Sequence, residues 1–508
     1  MPRTPAGPLT SFLKGKQIPA APLSATGNTS TSTNNLQRLY CPSTNEIRQT
    51  SQAATSSQIL QAIADASTAQ HIWCKEYTPS DRAHVLETAA TLIEQSSDDL
   101  SILESTETGR VLSETSSYDI PTASESLRYH ASLLTSNAIS TPTTHTPTSI
   151  IYTQRQPLGV TLGLGAWNYP LVNAITKSAP ALAFGNAMIY KPSEVTPSTT
   201  LELAHIYHEA GVPPGVFQVL LGDGDVGRHL VEDTSGTIQK VSMTGSVSSG
   251  QAVYGACATN LNSVTLELGG KSPLIICEDC NVDQAVAGAM LANWYSNGQV
   301  CSNGTRVYVH EEIATEFIET LLSKTKDLVI GLPLDPKTDI GPMITKDHME
   351  HVLNYTRIGI EEDGATLLYG GEHVMTSTNG YYLSPAIFVD CTPDMRIVQE
   401  EVFGMLMTIQ TFTSYEDVIE QANDSKYGLA AGIFTKDLQR AHGLAQQLDG
   451  GNVWINNYNI GLVQVPWGGF RHSGVGYENG ILGAEAWTKV KSIHVELDPI
   501  MNPYDKQE

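Results

Sequence analysis

Residues 160–190 read VTLGLGAWNYPLVNAITKSAPALAFGNAMIY, and this stretch decides the fold. Its short apolar run at Val160–Leu164 predicts a buried strand, the segment at about 175–184 predicts a helix, and residues 187–190 predict a second strand. A strand, a helix and a strand in this order form a crossover unit whose two strands lie parallel in one sheet. The alternation continues to a strand at 263–268, so we expect a parallel sheet covered by helices.

A second alternation of strands and helices follows Pro273. It opens with a strand at 274–277 and a helix from 282 to about 295, in which apolar residues recur at three- and four-residue steps. At 508 residues the chain is too long for one core, and the change from the first run to the second falls near Gly269 and Gly270. We therefore predict an α/β protein with two parallel-sheet domains.

The net charge of −24 opposes binding to nucleic acid or to an anionic membrane surface, because the long-range field repels both. No apolar run reaches the roughly 18 residues of a membrane helix, and no secretory signal is recognisable. The seven cysteines are scattered, and the pair Cys277 and Cys280 has no second pair beside it, so we expect a reducing compartment and no metal. We expect a cytoplasmic protein whose residues 1–36 form a flexible arm; a transit segment, which would place the protein in the mitochondrial matrix, is the alternative.

A reactive cysteine is suggested by residues 296–305, SNGQVCSNGT, which place Cys301 on a short polar loop after the predicted helix. Loops that rigid elements hold in place commonly present nucleophiles. Cysteine is also among the most buried residue types, so a packing role is the alternative unless the thiol has chemical partners.

Two residues could be such partners. Glu267 ends an apolar strand, where burial raises the pKa of a carboxyl group and suits it to act as a general base; an ion pair with Lys271 is the alternative. Asn168 lies on the loop after Val160–Leu164, at the sheet edge where ligands of α/β proteins bind. Its amide could donate a hydrogen bond to an oxyanion, although it could also be only a turn residue.

A dinucleotide has two candidate phosphate sites. Residues 222–227 spell the GxGxxG pattern, but Asp223 and Asp225 inside it would repel a pyrophosphate. Gly245 and Ser246 instead stand where a strand runs into a helix, whose first turn offers free N–H groups. We therefore place the phosphates at the second site.

The ribose of the cofactor is expected near the end of the strand at 187–190, where Lys191 and Glu194 follow. A carboxylate at Glu194 suits ribose hydroxyls and opposes a 2′-phosphate. The residues therefore favour NAD over NADP.

From about residue 40 to residue 495, the chain resembles the aldehyde dehydrogenase superfamily. The resemblance rests on LELGGK at 266–271, GQVC at 298–301, GAWNYP at 165–170, EEVFG at 400–404 and PWGG at 466–469. Within the superfamily, CSNGTRV at 301–307 and WINNYN at 454–459 are similar to the branch of betaine aldehyde and trimethylaminobutyraldehyde dehydrogenases.

The resemblance implies oxidation of an aldehyde to a carboxylate. Cys301 would attack the aldehyde carbon, the Asn168 amide would hold the oxyanion, hydride would pass to NAD, and Glu267 would activate the water that hydrolyses the thioester. Glu478 would relay protons. The residues implied to hold NAD are Trp167, Lys191, Glu194, Gly227, Gly245, Ser246, Leu268, Glu401 and Phe403, and those implied to contact the substrate are Tyr169, Thr176, Tyr295, Gly461 and Trp467.

The resemblance also implies how the chain is divided. Residues 37–135 and 159–268 would form the NAD-binding domain and residues 269–484 the catalytic domain, both Rossmann-like. Residues 136–158 and 485–508 would form a small β excursion for oligomerisation, which would give a homodimer or homotetramer.

Four residues depart from the family pattern: Met243 replaces Phe, Met405 replaces Pro, Tyr477 replaces Arg, and Thr176 replaces the Trp of the trimethylammonium branch. The last change removes one wall of a box that would bind a quaternary ammonium group through cation–π contacts. The substrate therefore stays open between a trimethylammonium aldehyde, an aminoaldehyde and a general aliphatic aldehyde. An acylating enzyme, against which Glu267 argues, and a non-catalytic protein of the same fold are the alternatives.

Overall fold

The computed structural model describes residues 10–13, 16–19, 36–136, 143–499 and 504. Two mostly parallel sheets with helices packed around them confirm the predicted α/β class. Among the described helices, none is long and apolar enough to cross a membrane.

The first sheet, as far as the chain is described, has six strands. In spatial order they are Gly474–Val475, Ser263–Glu267, Ile238–Thr244, Val160–Leu164, Ala187–Lys191 and Phe217–Val219. The predicted crossover unit is present, since Val160–Leu164 and Ala187–Lys191 pair in parallel. The edge strand Gly474–Val475 runs antiparallel to Ser263–Glu267, so a segment from late in the chain closes the sheet beside Glu267.

The second sheet has seven described strands. In spatial order they are Thr366–Tyr369, Ala386–Val389, Leu406–Phe412, Arg306–His310, Pro273–Ile276, Ala430–Phe434 and Asn452–Ile455. Only the pairing of Thr366–Tyr369 with its neighbour is antiparallel. Pro273–Ile276 follows Ser263–Glu267 after only five residues, so the segment that joins the two sheets contains Gly269 and Gly270.

A third, antiparallel sheet joins Thr143–His145, Ser149–Pro157 and Thr488–Glu496, which matches the expected β excursion. Two further strand pairs precede the first helix: Thr10–Leu13 with Lys16–Pro19, and Leu36–Tyr40 with Ile47–Gln52. Much of the predicted arm at 1–36 lies outside the described residues. The domain boundaries stay predictions.

Helices surround both sheets, and several begin at capping residues that the sequence shows directly. Thr55 and Thr78 each close a capping box, which fixes the starts of the first two helices. The helices around the first sheet are Ser56–Lys75, Pro79–Gln95, Ser97–Thr108, Leu112–Glu114, Ile120–Thr135, Pro170–Ala183, Ser198–Ala210, Gly224–Val231 and Val247–Asn260. The later helices are Val282–Leu291, Glu311–Lys326, Lys346–Glu361, Arg396–Gln399, Tyr415–Asn423, Leu438–Ala445 and Gly480–Glu485.

The helix before Cys301 is shorter than the apolar spacing predicts. It spans Val282–Leu291 and is followed by a separate 3₁₀ turn at Tyr295–Gly298. The backbone is diverted because the Ala292 carbonyl accepts a hydrogen bond from Gly304 N–H at 3.1 Å. Ser296 and Asn297 then take left-handed φ values of 52° and 56°, which turn the chain toward Cys301.

Candidate active site

Cys301 lies on the loop after this turn, against the connection between the two sheets. A Cβ atom added at Gly270 would lie 2.7 Å from the Cys301 carbonyl oxygen, so the backbones are in direct contact. The pKa of the Cys301 thiol is raised to about 12, first by burial and then by the nearby carboxylates of Glu401 and Glu267. The backbone N–H groups of Cys301 and Ser302 act in the opposite direction. A thiol in this setting must lose its proton before it can attack a carbonyl carbon.

Asn168 comes to the same loop from the first sheet. It follows Val160–Leu164 and is buried, and its Nδ2 donates a hydrogen bond to the Gln299 carbonyl at 3.1 Å. Gln299 precedes Cys301 by two residues, so the amide is held beside the thiol. An amide nitrogen carries two hydrogens, which leaves one to donate to an oxyanion.

Glu267 ends the strand Ser263–Glu267 with both carboxylate oxygens buried and without a hydrogen-bond partner in the described part of the chain. Its pKa is raised well above the ordinary value, first by burial and then by Glu478, against the opposing effect of Lys177. The alternative ion pair with Lys271 is wrong, because the Lys271 ammonium is also buried without a partner. Burial in an apolar strand end keeps the Glu267 carboxyl poised to exchange a proton at higher pH.

Glu478 lies behind Glu267 and is held by Lys177, a residue that the sequence analysis does not single out. Lys177 Nζ donates to Glu478 Oε1 and to Thr244 Oγ1, both at 2.6 Å. Ser242 Oγ also donates to Glu478 Oε1, at 3.1 Å. The Glu478 backbone pairs with that of Trp467 through two hydrogen bonds, so both the backbone and the side chain of Glu478 are held in place.

The helix Val247–Asn260 starts at the predicted phosphate site. The Ser246 hydroxyl caps it by accepting the Ser249 N–H at 3.2 Å, and Gly245 N–H donates to the Glu267 carbonyl at 3.1 Å. A Cβ atom at Gly245 would lie 2.8 Å from the Met243 methyl carbon, so this departure from the family pattern packs directly on the glycine. The first turn presents N–H groups that suit a phosphate.

The rejected GxGxxG stretch has a different role. Asp223 caps the helix Gly224–Val231 by accepting the Asp225 N–H at 2.9 Å, so a carboxylate already occupies that helix start. A Cβ atom at Gly227 would lie 3.5 Å from Lys191 Cδ, which makes the glycine a packing surface for that lysine. The Lys191 ammonium donates to the Pro192 carbonyl at 2.8 Å and lies 3.8 Å from the Glu194 carboxylate.

Glu401 stands at the junction of the two sheets. Its Oε1 accepts the Gly270 N–H at 2.9 Å, and a Cβ atom at Gly269 would lie only 1.9 Å from its Oε2. The pKa of Glu401 is raised to about 7 by burial, which outweighs the Gly270 N–H and Lys271. Only glycine at 269 leaves room for this carboxylate.

An aromatic cluster lies beside Glu401. The Phe403 ring packs edge-on against Trp167 with centroids 5.2 Å apart, and His348 contacts both rings. Phe403 has a φ of 57°, and its carbonyl is hydrogen bonded to His348 Nε2 at 2.8 Å. Leu268 completes the connection by donating its N–H to the Ser473 carbonyl at 2.9 Å.

The candidate substrate residues are only partly brought together. Tyr169 bonds through its hydroxyl to Ser296 Oγ at 2.7 Å, and electrostatic coupling places Tyr295 near it. Thr176 Oγ1 donates to the Val172 carbonyl at 2.8 Å within its helix. The Trp467 backbone pairs with that of Glu478, and its ring lies 6.1 Å from the Trp454 ring; among the described residues it has no ring contact with Tyr169.

A buried ion network that the sequence analysis misses supports the turn before Cys301. Arg110 forms a two-point ion pair with Asp119 at 2.6 and 3.1 Å and donates from Nε to Ser296 Oγ at 2.9 Å. Glu114 accepts the N–H and the hydroxyl of Ser296, both at 3.1 Å. Arg110 also lies 3.9 Å above the Tyr169 ring. The sequence feature that could have indicated this network is the pair of charged residues Glu107 and Arg110 on either side of Gly109. Gly109 ends the helix Ser97–Thr108 with a φ of 78°.

The remaining cysteines show no metal centre. Within the described ranges no group of three or more His, Cys, Asp and Glu residues is placed to hold a metal ion. Cys277 and Cys280 are buried free thiols, and burial raises the pKa of each to about 11.

Comparison with known proteins shows the family and the fold. The sequence model described as the aldehyde dehydrogenase family matches residues 29–493. The structure is similar to betaine aldehyde dehydrogenase from Staphylococcus aureus in complex with NAD+, with 32% identity, a TM-score of 0.90, and coverage of 94% of this chain and 95% of that chain. It is also similar to the NAD+ complex of aldehyde dehydrogenase from Bacillus cereus, with 35% identity, a TM-score of 0.89 and 97% coverage of each chain.

Proposed function

We infer the reaction from one premise: this chain belongs to the aldehyde dehydrogenase family. The chain oxidises an aldehyde to a carboxylate at Cys301, with NAD as cofactor. The observation that carries this proposal is the loop thiol of Cys301 beside Glu267, a buried carboxyl group without a partner in the described residues. The likeness to two aldehyde dehydrogenases solved with NAD+ supports the cofactor.

The residues at both ends of the cofactor site fit NAD. Gly245 and Ser246 start a 14-residue helix whose first N–H groups suit the pyrophosphate. Lys191 and the half-exposed Glu194 carboxylate suit the adenosine ribose. Glu401 suits the ribose of the nicotinamide, with Phe403 and Trp167 packing nearby.

The chain's own residues then perform the acyl chemistry. The Cys301 thiol gives its proton to solvent water, its sulfur adds to the aldehyde carbon, and the Asn168 amide and the Cys301 N–H hold the carbonyl oxygen, which becomes negative as its C=O double bond becomes a single bond. NAD, when bound, supplies the acceptor for the hydride that leaves this carbon. The resulting thioester on Cys301 is hydrolysed by a water molecule that gives its proton to Glu267.

Lys177 and Glu478 form the exit for that proton. Glu478 influences the pKa of Glu267 and is itself bonded to Lys177 and Ser242. Tyr477 packs on Gly468, where its ring carbon would lie 2.7 Å from an added Cβ atom, so it offers no charge in place of the usual arginine. The relay therefore depends on Lys177.

The reaction is tested by following NADH absorbance with a panel of aldehydes. We expect Cys301→Ala to lose at least about a thousandfold in kcat, because the nucleophile is gone. Cys74→Ala, which removes another half-buried free cysteine on the helix Ser56–Lys75, is the matched control and should keep its rate. Full activity of Cys301→Ala, or no NADH from any aldehyde with the unaltered protein, would refute the proposal.

For the substrate, we propose an aldehyde that carries a cationic nitrogen. Tyr169 and Tyr295 lie close to one another near the thiol's loop, and tyrosine faces attract ammonium groups. The likeness to a betaine aldehyde dehydrogenase supports this choice. A panel of betaine aldehyde, 4-trimethylaminobutyraldehyde, 4-aminobutyraldehyde and hexanal tests it: a kcat/KM no higher for the cationic aldehydes than for hexanal would favour a general aliphatic aldehyde dehydrogenase.

A further inference from the structure

A third tyrosine, Tyr118, stands at the candidate substrate pocket. It belongs to the π-helical segment Thr115–Asp119 and is half-buried. Its ring meets Tyr169 edge to face with centroids 5.9 Å apart. Its hydroxyl lies 3.6 Å from the position that a Cβ atom at Gly461 would occupy. This is an ordinary contact distance, so the Tyr118 hydroxyl lies directly beside Gly461, another of the candidate substrate residues.

Tyr118 also lies within electrostatic range of Cys301. Its pKa is raised to about 12 by burial, then by Asp119, and Cys301 is close enough to add to the effect. The same electrostatic contact links Tyr295 to Tyr118. Tyr118 therefore lies next to Tyr169 and within electrostatic range of both Tyr295 and Cys301.

The three rings are not equivalent for a cation. The Arg110 guanidinium already covers one face of Tyr169 at 3.9 Å, which weakens the attraction of that ring for a second cation. Within the described part of the chain, no lysine or arginine lies over the ring of Tyr118 or Tyr295. The ring of Tyr118 is therefore available to a cationic substrate group, whereas the threonine at 176 has no aromatic ring to offer.

The charges behind the rings do not repel a cation. Arg110 is matched by Asp119, and Glu114 and Glu104 add two more carboxyl groups to the same cluster. The pKa of Glu114 is raised to about 7, mainly by burial, so that carboxyl group is substantially ionised at neutral pH and above. The cluster is therefore neutral or negative, and a positive substrate group meets no net positive field.

We propose that Tyr118 selects an aldehyde bearing a quaternary ammonium group over a neutral aldehyde of the same shape. This inference rests on the proposed function. Tyr118 acts as a specificity-determining residue through its ring face, while Cys301, Glu267 and Asn168 carry the chemistry.

The test compares betaine aldehyde with 3,3-dimethylbutanal, in which a carbon replaces the charged nitrogen. The quantity is the ratio of the two kcat/KM values. We expect Tyr118→Leu to lower this ratio about threefold to thirtyfold, because one cation–π contact is lost. Tyr118→Phe keeps a ring and should keep the ratio within about threefold. Tyr254→Leu, at a tyrosine 52% exposed on the helix Val247–Asn260, is the control and should match the unaltered protein.

The inference is overturned if Tyr118→Leu leaves the ratio of the two kcat/KM values unchanged. It is also overturned if this ratio is one or less in the unaltered protein, a measurement that does not depend on any variant folding. Both results leave the proposed oxidation of an aldehyde with NAD intact as long as NADH forms with either aldehyde, although the second also removes the proposed preference for a cationic substrate. No NADH from any aldehyde refutes the proposed function itself. The two failures are therefore distinguishable.

Discussion

At Glu267, replacing the carboxyl group by an amide separates the two halves of the reaction. Glu267 raises the pKa of the Cys301 thiol, so Glu267→Gln does not hinder the loss of the thiol proton. It does remove the base that we propose for thioester hydrolysis. We expect a rapid burst of about one NADH per active site, followed by a steady rate about 10²- to 10⁴-fold lower.

Stopped-flow absorbance measures the burst, and Glu232→Gln, on the exposed surface, is the control. If the burst itself slows as much as the steady rate, Glu267 acts before hydride transfer and the assigned role is wrong.

The pH dependence of stability is decided in part by Glu104. Burial, followed by Asp119, raises its folded-state pKa to about 8. This pKa is higher than the pKa of the same group in the unfolded chain, so protonated Glu104 contributes to the stability of the folded chain. The contribution is complete below the pKa of the unfolded chain and is lost as the pH rises to about 8. The loss approaches about 1.4 kcal/mol per pH unit while only the folded chain keeps the proton. Glu104→Gln should therefore gain in melting temperature, relative to the unaltered protein, from pH 5 to pH 8.

Differential scanning fluorimetry across this range measures the difference. The exposed change Glu94→Gln should show no such trend. A difference for Glu104→Gln that stays constant with pH would contradict the expectation.

Among the structural elements, the left-handed turn at Ser296 and Asn297 controls where the thiol lies. Glu114 holds the turn through two hydrogen bonds to Ser296, one from the backbone and one from the hydroxyl. In Glu114→Ala, the Ser296 N–H, the Ser296 hydroxyl and Arg110 all lose this carboxylate partner. We expect the free energy of unfolding to fall by about 1.5–3 kcal/mol. We expect kcat to fall about tenfold to a hundredfold through misplacement of the thiol, with little change in KM for NAD.

Steady-state kinetics with both substrates measure this split. Glu94→Ala breaks a surface pair with Arg128 at 2.6 Å and should leave kcat unchanged. An equal loss in both variants would mean that the turn does not need Glu114.

The elements were largely predictable, because strand and helix repeats are local. The central crossover from Val160–Leu164 to Ala187–Lys191 follows from periodicity alone. The end of the helix before Cys301 does not, because the bond from Gly304 to Ala292 diverts the backbone and two non-glycine residues then adopt positive φ. The spacing of apolar residues in the sequence indicates neither a hydrogen bond between backbone groups 12 residues apart nor a turn of this kind.

For the whole molecule, the nine-residue strand Thr488–Glu496 is an open edge of the third sheet and exposes Val490 to 55%. Such edges pair with other chains unless charge protects them. We propose that this edge joins copies of the chain into a dimer or tetramer. Val490→Lys should shift the mass measured by light scattering toward the single subunit, whereas Leu332→Lys, at a leucine 51% exposed elsewhere, should not.

An unaltered protein with the mass of one subunit would refute the oligomer, and an unshifted mass for Val490→Lys would remove this edge from it.

Long-range partners set the limit of what the sequence could predict about the site. Cys301, Glu267 and Asn168 lie in recognisable stretches, and the structure brings Asn168 to the loop of Cys301 as expected. Lys177 meets Glu478 from 301 residues away, and Arg110 meets Ser296 from 186. Such pairs depend on how the sheets are joined, which no single stretch of sequence records.

Gly269 lies in the segment that connects the two sheets. Its missing side chain is the space that the Glu401 carboxylate fills. A single methyl group at 269 would meet the Glu401 carboxylate at 1.9 Å and displace it from the Gly270 N–H. If Glu401 holds the cofactor as proposed, the missing side chain at Gly269 is therefore a requirement of cofactor binding, set by the connection between the two sheets.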